Sequence, residues 1–173
     1  MDGRVERTLE SMMRARGLER AAAEPPALVY ADAARVVAVV AVERLTVAAL
    51  REHVEAACGA GCTGLVFVTA VAPGAIARQA VAECAHALCV ESFTRAELAF
   101  DLMEHELVPA MRVLSDDERT ALLARYRIRA SQLPRMMARD PCARYLNLAR
   151  GAVVCVTRRP SDADPYETYR VVA

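Results

Sequence analysis

Hydrophobic residues in 1–100 follow two patterns, a helical stripe and several short continuous runs. Val5, Leu9, Met12 and Met13 fall on one helical face, which predicts an amphipathic helix over 4–16 that ends at Gly17. Apolar runs of strand length follow at 27–30, 36–42, 65–68 and 88–90. The run at 65–68 has no polar alternation, which is typical of a strand covered on both faces.

Helices are predicted between these runs. Thr46 is a suitable N-cap for a helix that continues to about residue 58. Pro73 and Gly74 precede a second helix over 75–85, and Thr94 is placed to cap a last short helix toward Phe100. Strands that alternate with helices predict an α/β domain for residues 1–100.

The later part of the chain predicts short helices and a small sheet. Ser115 and Glu118 have the spacing of a capping box, and Leu122, Leu123 and Tyr126 supply the apolar face of the helix that follows. An Asp-Pro pair at 140–141 is typical of another helix start. The runs 152–157 and 166–172 predict two paired, antiparallel strands. The overall fold class is therefore α+β.

Charge and hydropathy restrict the possible functions. The 22 basic side chains balance 22 acidic ones, and every basic residue other than His is Arg. Neither half is a polycation that would bind nucleic acid by charge alone. The sequence has no apolar run long enough to span a bilayer, and its first residues lack the apolar segment of a signal peptide. We expect a soluble, intracellular protein.

Two motifs suggest ligands but have the wrong context. The glycines at 59, 61 and 64 spell G-x-G-x-x-G, yet a helix is predicted before them and a strand after them, the reverse of a dinucleotide site. Six cysteines are expected to be free thiols in an intracellular chain. Four of them could form a zinc set with two nearby histidines, although the spacings C-x3-C and C-x4-C disfavour it. The residues of this possible set are Cys58, Cys62, Cys84, Cys89, His53 and His86.

No catalytic constellation is predicted. A nuclease-like α/β domain needs acids and a Lys near strand ends to hold a metal and position water. Asp32 and Glu43 occupy suitable places, but the sequence contains no Lys. The three histidines have no matching Ser or Cys nucleophile pattern. We expect neither an enzyme nor a cofactor or metal site.

The order of motifs after residue 104 resembles a known assembly module. These motifs are His-Glu-Leu-Val-Pro at 105–109, Gln-Leu-Pro-Arg at 132–135, Asp-Pro-Cys-Ala-Arg-Tyr at 140–145 and Tyr-Arg-Val-Val at 169–172. They resemble the C-terminal module of the fifth subunit shared by the eukaryotic nuclear RNA polymerases, a module that has a counterpart in the archaeal RNA polymerase. Ala110, Met111 and Cys155 depart from the pattern, as does the loop 162–165.

The resemblance implies two domains and a partner for each. Residues 101–173 would be the polymerase assembly domain, which docks on the largest subunit. Residues 1–100 would be a shortened jaw domain with an inactive restriction-endonuclease-like fold, near downstream duplex DNA. The residues expected at the interface with the largest subunit are His105, Pro109, Tyr126, Gln132, Leu133, Pro134, Arg135, Asp140, Pro141, Arg144, Tyr145 and Arg170.

The function expected from this resemblance is that of a non-catalytic polymerase subunit in transcription. The trimmed jaw and the Lys-free composition suggest a version encoded by a large DNA virus, and a divergent cellular version is the rival. The location would be the nucleus if the chain is cellular, and the host nucleus or cytoplasm or the virion if it is viral. A free-standing regulator that reuses the polymerase-binding module is the alternative function.

Overall fold

The structure is a computed structural model that describes residues 2–21, 27–84, 88–159 and 164–173. The chain divides into two compact units, Met1–Phe100 and Asp101–Ala173, called here the N-terminal and C-terminal units. Each unit contains its own sheet, so the fold is mixed α and β. Among the described residues, no helix is long and apolar enough to cross a membrane.

The N-terminal unit is a five-stranded sheet with three helices. The strands follow the order β1-β2-β3-β4-β5, in which β3, β4 and β5 are parallel and the first three strands are antiparallel. The elements are α1 (Gly3–Ala15), β1 (Glu19–Arg20), β2 (Ala27–Ala31), β3 (Val36–Val42), α2 (Val47–Gly59), β4 (Gly64–Thr69), α3 (Ala75–Cys84) and β5 (Cys89–Thr94).

One core of this unit lies between the sheet and the helices α2 and α3. Val40, Leu65 and Phe67 alternate with residues of the other sheet face and pack with Leu50 and Ala57 of α2. Every residue of β4 is buried, which confirms the strand predicted from its continuous apolar run. β4 is central and parallel to both neighbours, and the burial of all its residues shows that both of its faces are covered.

A buried ion pair joins the end of α1 to the edge strand β5. Nη1 of Arg16 donates to Oε2 of Glu91 at 2.6 Å, and Nη2 donates to Oε1 at 3.1 Å. The Arg16 side chain is 2 % exposed and that of Glu91 is 17 % exposed. The backbone oxygen of Arg16 also accepts a hydrogen bond from Nη2 of Arg35 at 2.8 Å. A two-point contact of this kind fixes the helix end on the sheet.

The helix ends follow from local chemistry. The amphipathic α1 was predicted correctly, since Val5, Leu9, Met12 and Met13 are all buried. Oγ1 of Thr46 accepts the Ala49 amide at 3.2 Å and so caps α2 as predicted. In the G-x-G-x-x-G segment, residue 59 ends α2, residue 61 has φ +73° and residue 64 begins β4. The order is therefore helix and then strand, which does not present a helix N-terminus to a phosphate.

The short helix predicted after Thr94 is wrong. The Thr94 amide donates to Oε2 of Glu97 at 2.7 Å and the Glu97 amide donates to Oγ1 of Thr94 at 3.2 Å, so the reciprocal cap exists. Residues 95–98 nevertheless form only a turn. The Ala99 amide donates to the Ala96 oxygen, three residues earlier, and Leu98 lies in the core at 2 % exposure. The cap therefore stabilises a turn here.

Some predicted elements differ from the observed ones at their boundaries. The strand predicted over 88–90 is β5, which extends to Thr94, and the two-residue β1 was not predicted. The helix predicted over 75–85 ends at Cys84 within the described range. Residue 85 and His86, as well as the first part of the loop 162–165, lie outside the described residues.

The C-terminal unit is a four-stranded sheet with two short helices. The strand order is β6-β8-β9-β7. The predicted antiparallel pair of β8 and β9 is confirmed, but β7 runs parallel to β9, so the sheet is mixed. The elements are β6 (Ala110–Val113), α4 (Asp116–Tyr126), β7 (Arg135–Met136), α5 (Pro141–Tyr145), β8 (Val153–Arg158) and β9 (Tyr166–Val172), with 3-10 turns at Leu102–Glu104 and Ala130–Gln132.

Candidate docking surface of the C-terminal unit

The segment 105–109 forms a turn that leads into β6. The Leu107 amide donates to Nδ1 of His105 at 3.2 Å, and the Val108 amide donates to the His105 oxygen at 2.9 Å. Val108 packs against the core of the unit, whereas Leu107 is 80 % exposed. The turn therefore anchors one apolar side chain and presents another to solvent.

Helix α4 begins with the predicted capping box. The Glu118 amide donates to the Ser115 hydroxyl at 3.2 Å, and the Ser115 amide donates to Oε2 of Glu118 at 2.9 Å. Nη1 of Arg112 on β6 donates to both carboxylate oxygens of Glu118, at 2.7 and 2.8 Å. The Ser115 amide and then Arg112 hold the pKa of the Glu118 carboxyl below its ordinary value.

This network predicts a loss of stability in acid. Because the pKa of Glu118 is lowered in the folded chain, its contribution is present above the ordinary carboxyl pKa and is lost as pH falls through the folded value. We expect the amides of α4 to exchange faster with deuterium as the pH is lowered through this range, after correction for intrinsic exchange. The Glu118→Gln variant should lack this step, and an identical pH profile for both chains would contradict the prediction.

Tyr126 lies on the surface, which corrects its predicted place on the apolar face of α4. Its side chain is 54 % exposed, whereas Leu122 is 8 % exposed and packs with Leu133 and Val153. The Tyr126 ring is tilted against that of Tyr169, with centroids 6.5 Å apart. Tyr126 is therefore the exposed member of an aromatic pair, and Tyr169 is the half-buried one.

The Tyr169 ring of this pair carries a hydroxyl with a short hydrogen bond. The Tyr169 hydroxyl donates to Oε2 of Glu167 at 2.7 Å. This hydrogen bond, followed by desolvation, raises the pKa of Tyr169 to about 12. The phenol is therefore a donor at neutral pH and does not ionise there.

The segment 132–135 has one buried residue among exposed ones. Leu133 is in the core, while Gln132, Pro134 and Arg135 are exposed. Oε1 of Gln132 accepts the Arg129 amide at 2.8 Å. The Pro134 oxygen accepts the Val171 amide at 2.9 Å, which places Arg135 at the start of β7. The Leu133 side chain therefore packs in the core, whereas the other three residues are open to solvent.

Helix α5 is capped as predicted and holds a second buried residue of the predicted set. The Cys142 amide donates to Oδ1 of Asp140 at 2.9 Å, and Pro141 occupies the first turn. Tyr145 is 4 % exposed, and its hydroxyl donates to Oδ2 of Asp101 at 3.0 Å. Tyr145 therefore packs inside the unit, and its place at an interface stays a prediction.

The remaining predicted interface residues differ in exposure. The exposed ones are His105, Tyr126, Gln132, Pro134, Arg135 and Pro141, and the half-buried ones are Pro109, Asp140, Arg144 and Arg170. The sequence missed an exposed group around the turn 105–109. Leu107 and Tyr166, at 49 % exposure, line a groove of about 560 Å³ with Pro109, Arg158 and Arg159. The pairings of β8 with β6 and with β9 bring these positions together.

The acids considered for a metal site lie apart in the N-terminal unit. Asp32 precedes β3 and accepts the amides of Ala34 and Arg35 at 2.8 and 2.7 Å. These contacts, the Ala34 amide first, lower the pKa of Asp32. Glu43 follows β3 and pairs with Arg95 at 2.6 Å. Two acids at opposite ends of a seven-residue strand cannot share one ion.

Neither acids nor thiols form a metal cluster in the described part of the chain, where no group of three or more His, Cys, Asp and Glu side chains converges. His86 of the possible zinc set lies outside that part. Burial raises the pKa of the Cys62 thiol, with a smaller effect of Cys58. Cys62 is therefore a protonated thiol at neutral pH.

Comparisons with known proteins agree with the motifs in the C-terminal unit. Residues 100–172 match the family model described as RNA polymerase Rpb5, C-terminal domain. Subunit RPABC1 of DNA-directed RNA polymerases I, II and III from Caenorhabditis elegans is 43% identical over 108 residues, which are 62% of this chain and 50% of the relative.

Two further relatives give the same result. Subunit rpabc1 of Dictyostelium discoideum is 42% identical over 97 residues, or 55% of this chain and 49% of the relative. DNA-directed RNA polymerase subunit 5-like protein 1 of Arabidopsis thaliana is 41% identical over 105 residues, or 61% and 50%. The predicted resemblance to the fifth shared subunit is confirmed, and the chain spans about half the length of these relatives.

Proposed function

Because residues 100–172 match the Rpb5 C-terminal domain, we propose that this chain is a non-catalytic subunit of a multisubunit DNA-directed RNA polymerase. The family match carries this proposal, together with identities of 41% to 43% to polymerase subunits from three eukaryotic lineages. The C-terminal unit docks on the largest subunit and assists assembly. The chain has no reaction of its own.

The surface that docks on the largest subunit contains the exposed members of the predicted set. Gln132, Pro134 and Arg135 form one stretch beside β7, and Arg135 offers a planar donor group to a carboxylate. Arg144 and Arg170, both half-buried residues, contribute further guanidinium groups. Leu133 and Tyr145 hold these segments in place from the core.

The N-terminal unit acts as the lower jaw near downstream DNA. Its sheet, with helices following β3 and β4, is compatible with a restriction-endonuclease-like fold. Asp32 and Glu43 are engaged by Arg35 and Arg95, which supports a domain without a metal-dependent reaction. A cellular version would work in the nucleus, and a viral version in the host nucleus, the host cytoplasm or the virion.

Reconstitution tests this proposal. A eukaryotic polymerase preparation that lacks its fifth subunit should incorporate the full chain and regain assembled enzyme. Arg135→Glu and Arg144→Glu should each reduce incorporation, because each reverses the charge of a docking residue, whereas Arg7→Glu on the exposed face of α1 should not. Failure of the parent chain to incorporate would overturn the proposal and favour a free-standing regulator.

A further inference from the structure

Strand β6 forms an outer edge of the C-terminal sheet. It pairs with β8 through the register Ala110 to Thr157 and Val113 to Val154, and the described sheet ends there. The Leu114 amide donates to the Val153 oxygen at 2.9 Å. In an antiparallel ladder the bonds recur at every second residue, so residues 112 and 110 also face β8. The amides and carbonyls of residues 111 and 113 therefore point away from the sheet.

This edge is short, but it lacks other common protections against strand pairing. Native edge strands are commonly blocked by their shortness, by proline, by a bulge or by free charges, and β6 has four residues. The register of β6 is continuous, and none of its residues 110–113 is proline. Its one charged side chain, Arg112, is held by Glu118. Val113 is 43 % exposed beside the outward backbone groups.

Next to that edge, the groove at the start of β6 offers a place for side chains of a partner strand. Leu107 and Tyr166 give it apolar walls, and among the described residues that line it the exposed cations Arg158 and Arg159 outnumber the one acid, Glu106. An acidic side chain with an apolar neighbour fits these walls. The outward amides and carbonyls select a polypeptide backbone over a nucleic acid, because only a strand offers both donors and acceptors at the matching spacing.

We propose that the outer edge of β6 takes up an extended segment of another polymerase chain as an added strand, with an acidic side chain of that segment beside Arg158 and Arg159. That the partner belongs to the polymerase rests on the function proposed above. The surface is separate from the stretch 132–135, which lies beside the opposite edge strand β7.

A proline substitution tests the added strand. Val113→Pro removes an amide that makes no bond to β8, so it should block the added strand while it preserves the ladder of the unit. Val113→Thr keeps the amide and is the matched control. In the reconstituted polymerase, Val113→Pro should raise the concentration of chain needed for half-maximal incorporation about tenfold, as expected for one lost hydrogen bond. The thermal midpoint of the free chain should be the same for both variants.

Charge reversal and cross-linking identify the occupant. The double variant Arg158→Glu/Arg159→Glu should weaken incorporation about tenfold at low salt and less at high salt, whereas Arg150→Glu, an exposed arginine in the same unit, should not. Benzoylphenylalanine at position 107 of the incorporated chain should cross-link to an acidic, extended segment of a polymerase subunit.

Two results would overturn the added strand. One is equal incorporation of Val113→Pro and Val113→Thr, and the other is cross-linking from position 107 to nucleic acid alone. In both cases the parent chain still incorporates, so the proposed function survives. Failure of the parent chain itself to incorporate is a different outcome, and it would overturn the proposed function as well.

Discussion

Replacing Glu91 with alanine is expected to lower the free energy of unfolding of the N-terminal unit by about 3–5 kcal/mol, the typical cost of breaking a buried ion pair from one side. Arg16 is almost fully buried and donates to both carboxylate oxygens of Glu91. Without that carboxylate, a desolvated guanidinium would remain beneath α1. The unit should therefore unfold at markedly lower denaturant concentration.

A double substitution distinguishes the effect of removing the whole ion pair from the effect of removing only one of its charges. Replacing Arg16 with methionine and Glu91 with leucine removes both charges and keeps apolar volume, which is often neutral for stability. We expect the double variant to be clearly more stable than Glu91→Ala. Denaturant unfolding of the full chain, followed by hydrogen exchange of α1 and β5, measures both effects. A Glu91→Ala chain as stable as the parent would contradict this account of how α1 is held.

The second large effect is expected in the C-terminal unit, at Leu122. Its side chain packs with Leu133 and Val153 under α4, so Leu122→Ala should cost about 2–5 kcal/mol. Tyr126, one turn further along the same helix, is 54 % exposed, and Tyr126→Ala should cost less than about 1 kcal/mol. The pair forms an internal control, because both changes truncate a large side chain to alanine.

Hydrogen exchange of β8 gives the direct comparison. The amides of β8 should exchange much faster in Leu122→Ala and at nearly the parent rate in Tyr126→Ala. Comparable acceleration by both substitutions would mean that Tyr126 is part of the core, as its place in the sequence pattern first suggested. The structure instead leaves Tyr126 54 % exposed.

Local patterns determined most of the elements that the sequence could predict. The face of α1, the caps at Thr46, Ser115 and Asp140, and the continuous apolar run of β4 each depend on residues close together in the chain. Their chemistry acts within one or two turns, so neighbouring residues are enough to predict them.

The errors arose where distant contacts decide the outcome. Tyr126 continues the apolar spacing of α4, but Leu122 packs with Leu133 and Val153 while the tyrosine stays 54 % exposed beside Tyr169. Thr94 carries a proper cap, yet burial of Leu98 turns the chain at once. The strands β6 and β7 have four and two residues, too short for a period, and are defined by their partners β8 and β9.

The candidate site shows the same limit. The motifs at 132–135 and 140–145 could be recognised in the sequence, but the sequence does not say which of their side chains are exposed to a partner. Leu133 and Tyr145 prove to be core residues, and the groove beside Leu107 depends on the pairing of β6 with β8. Exposure of individual side chains follows from tertiary packing, which a single sequence does not provide.

Affinity purification of the tagged full chain from its source cells or particles tests the central claim most directly. The proteins that stay bound at moderate salt would be identified and quantified by mass spectrometry. A polymerase subunit should retain the two largest polymerase subunits in equal amounts with itself. Recovery of the chain alone, or with unrelated proteins, would contradict the assembly role and would mean that the C-terminal unit has been reused in a free-standing protein.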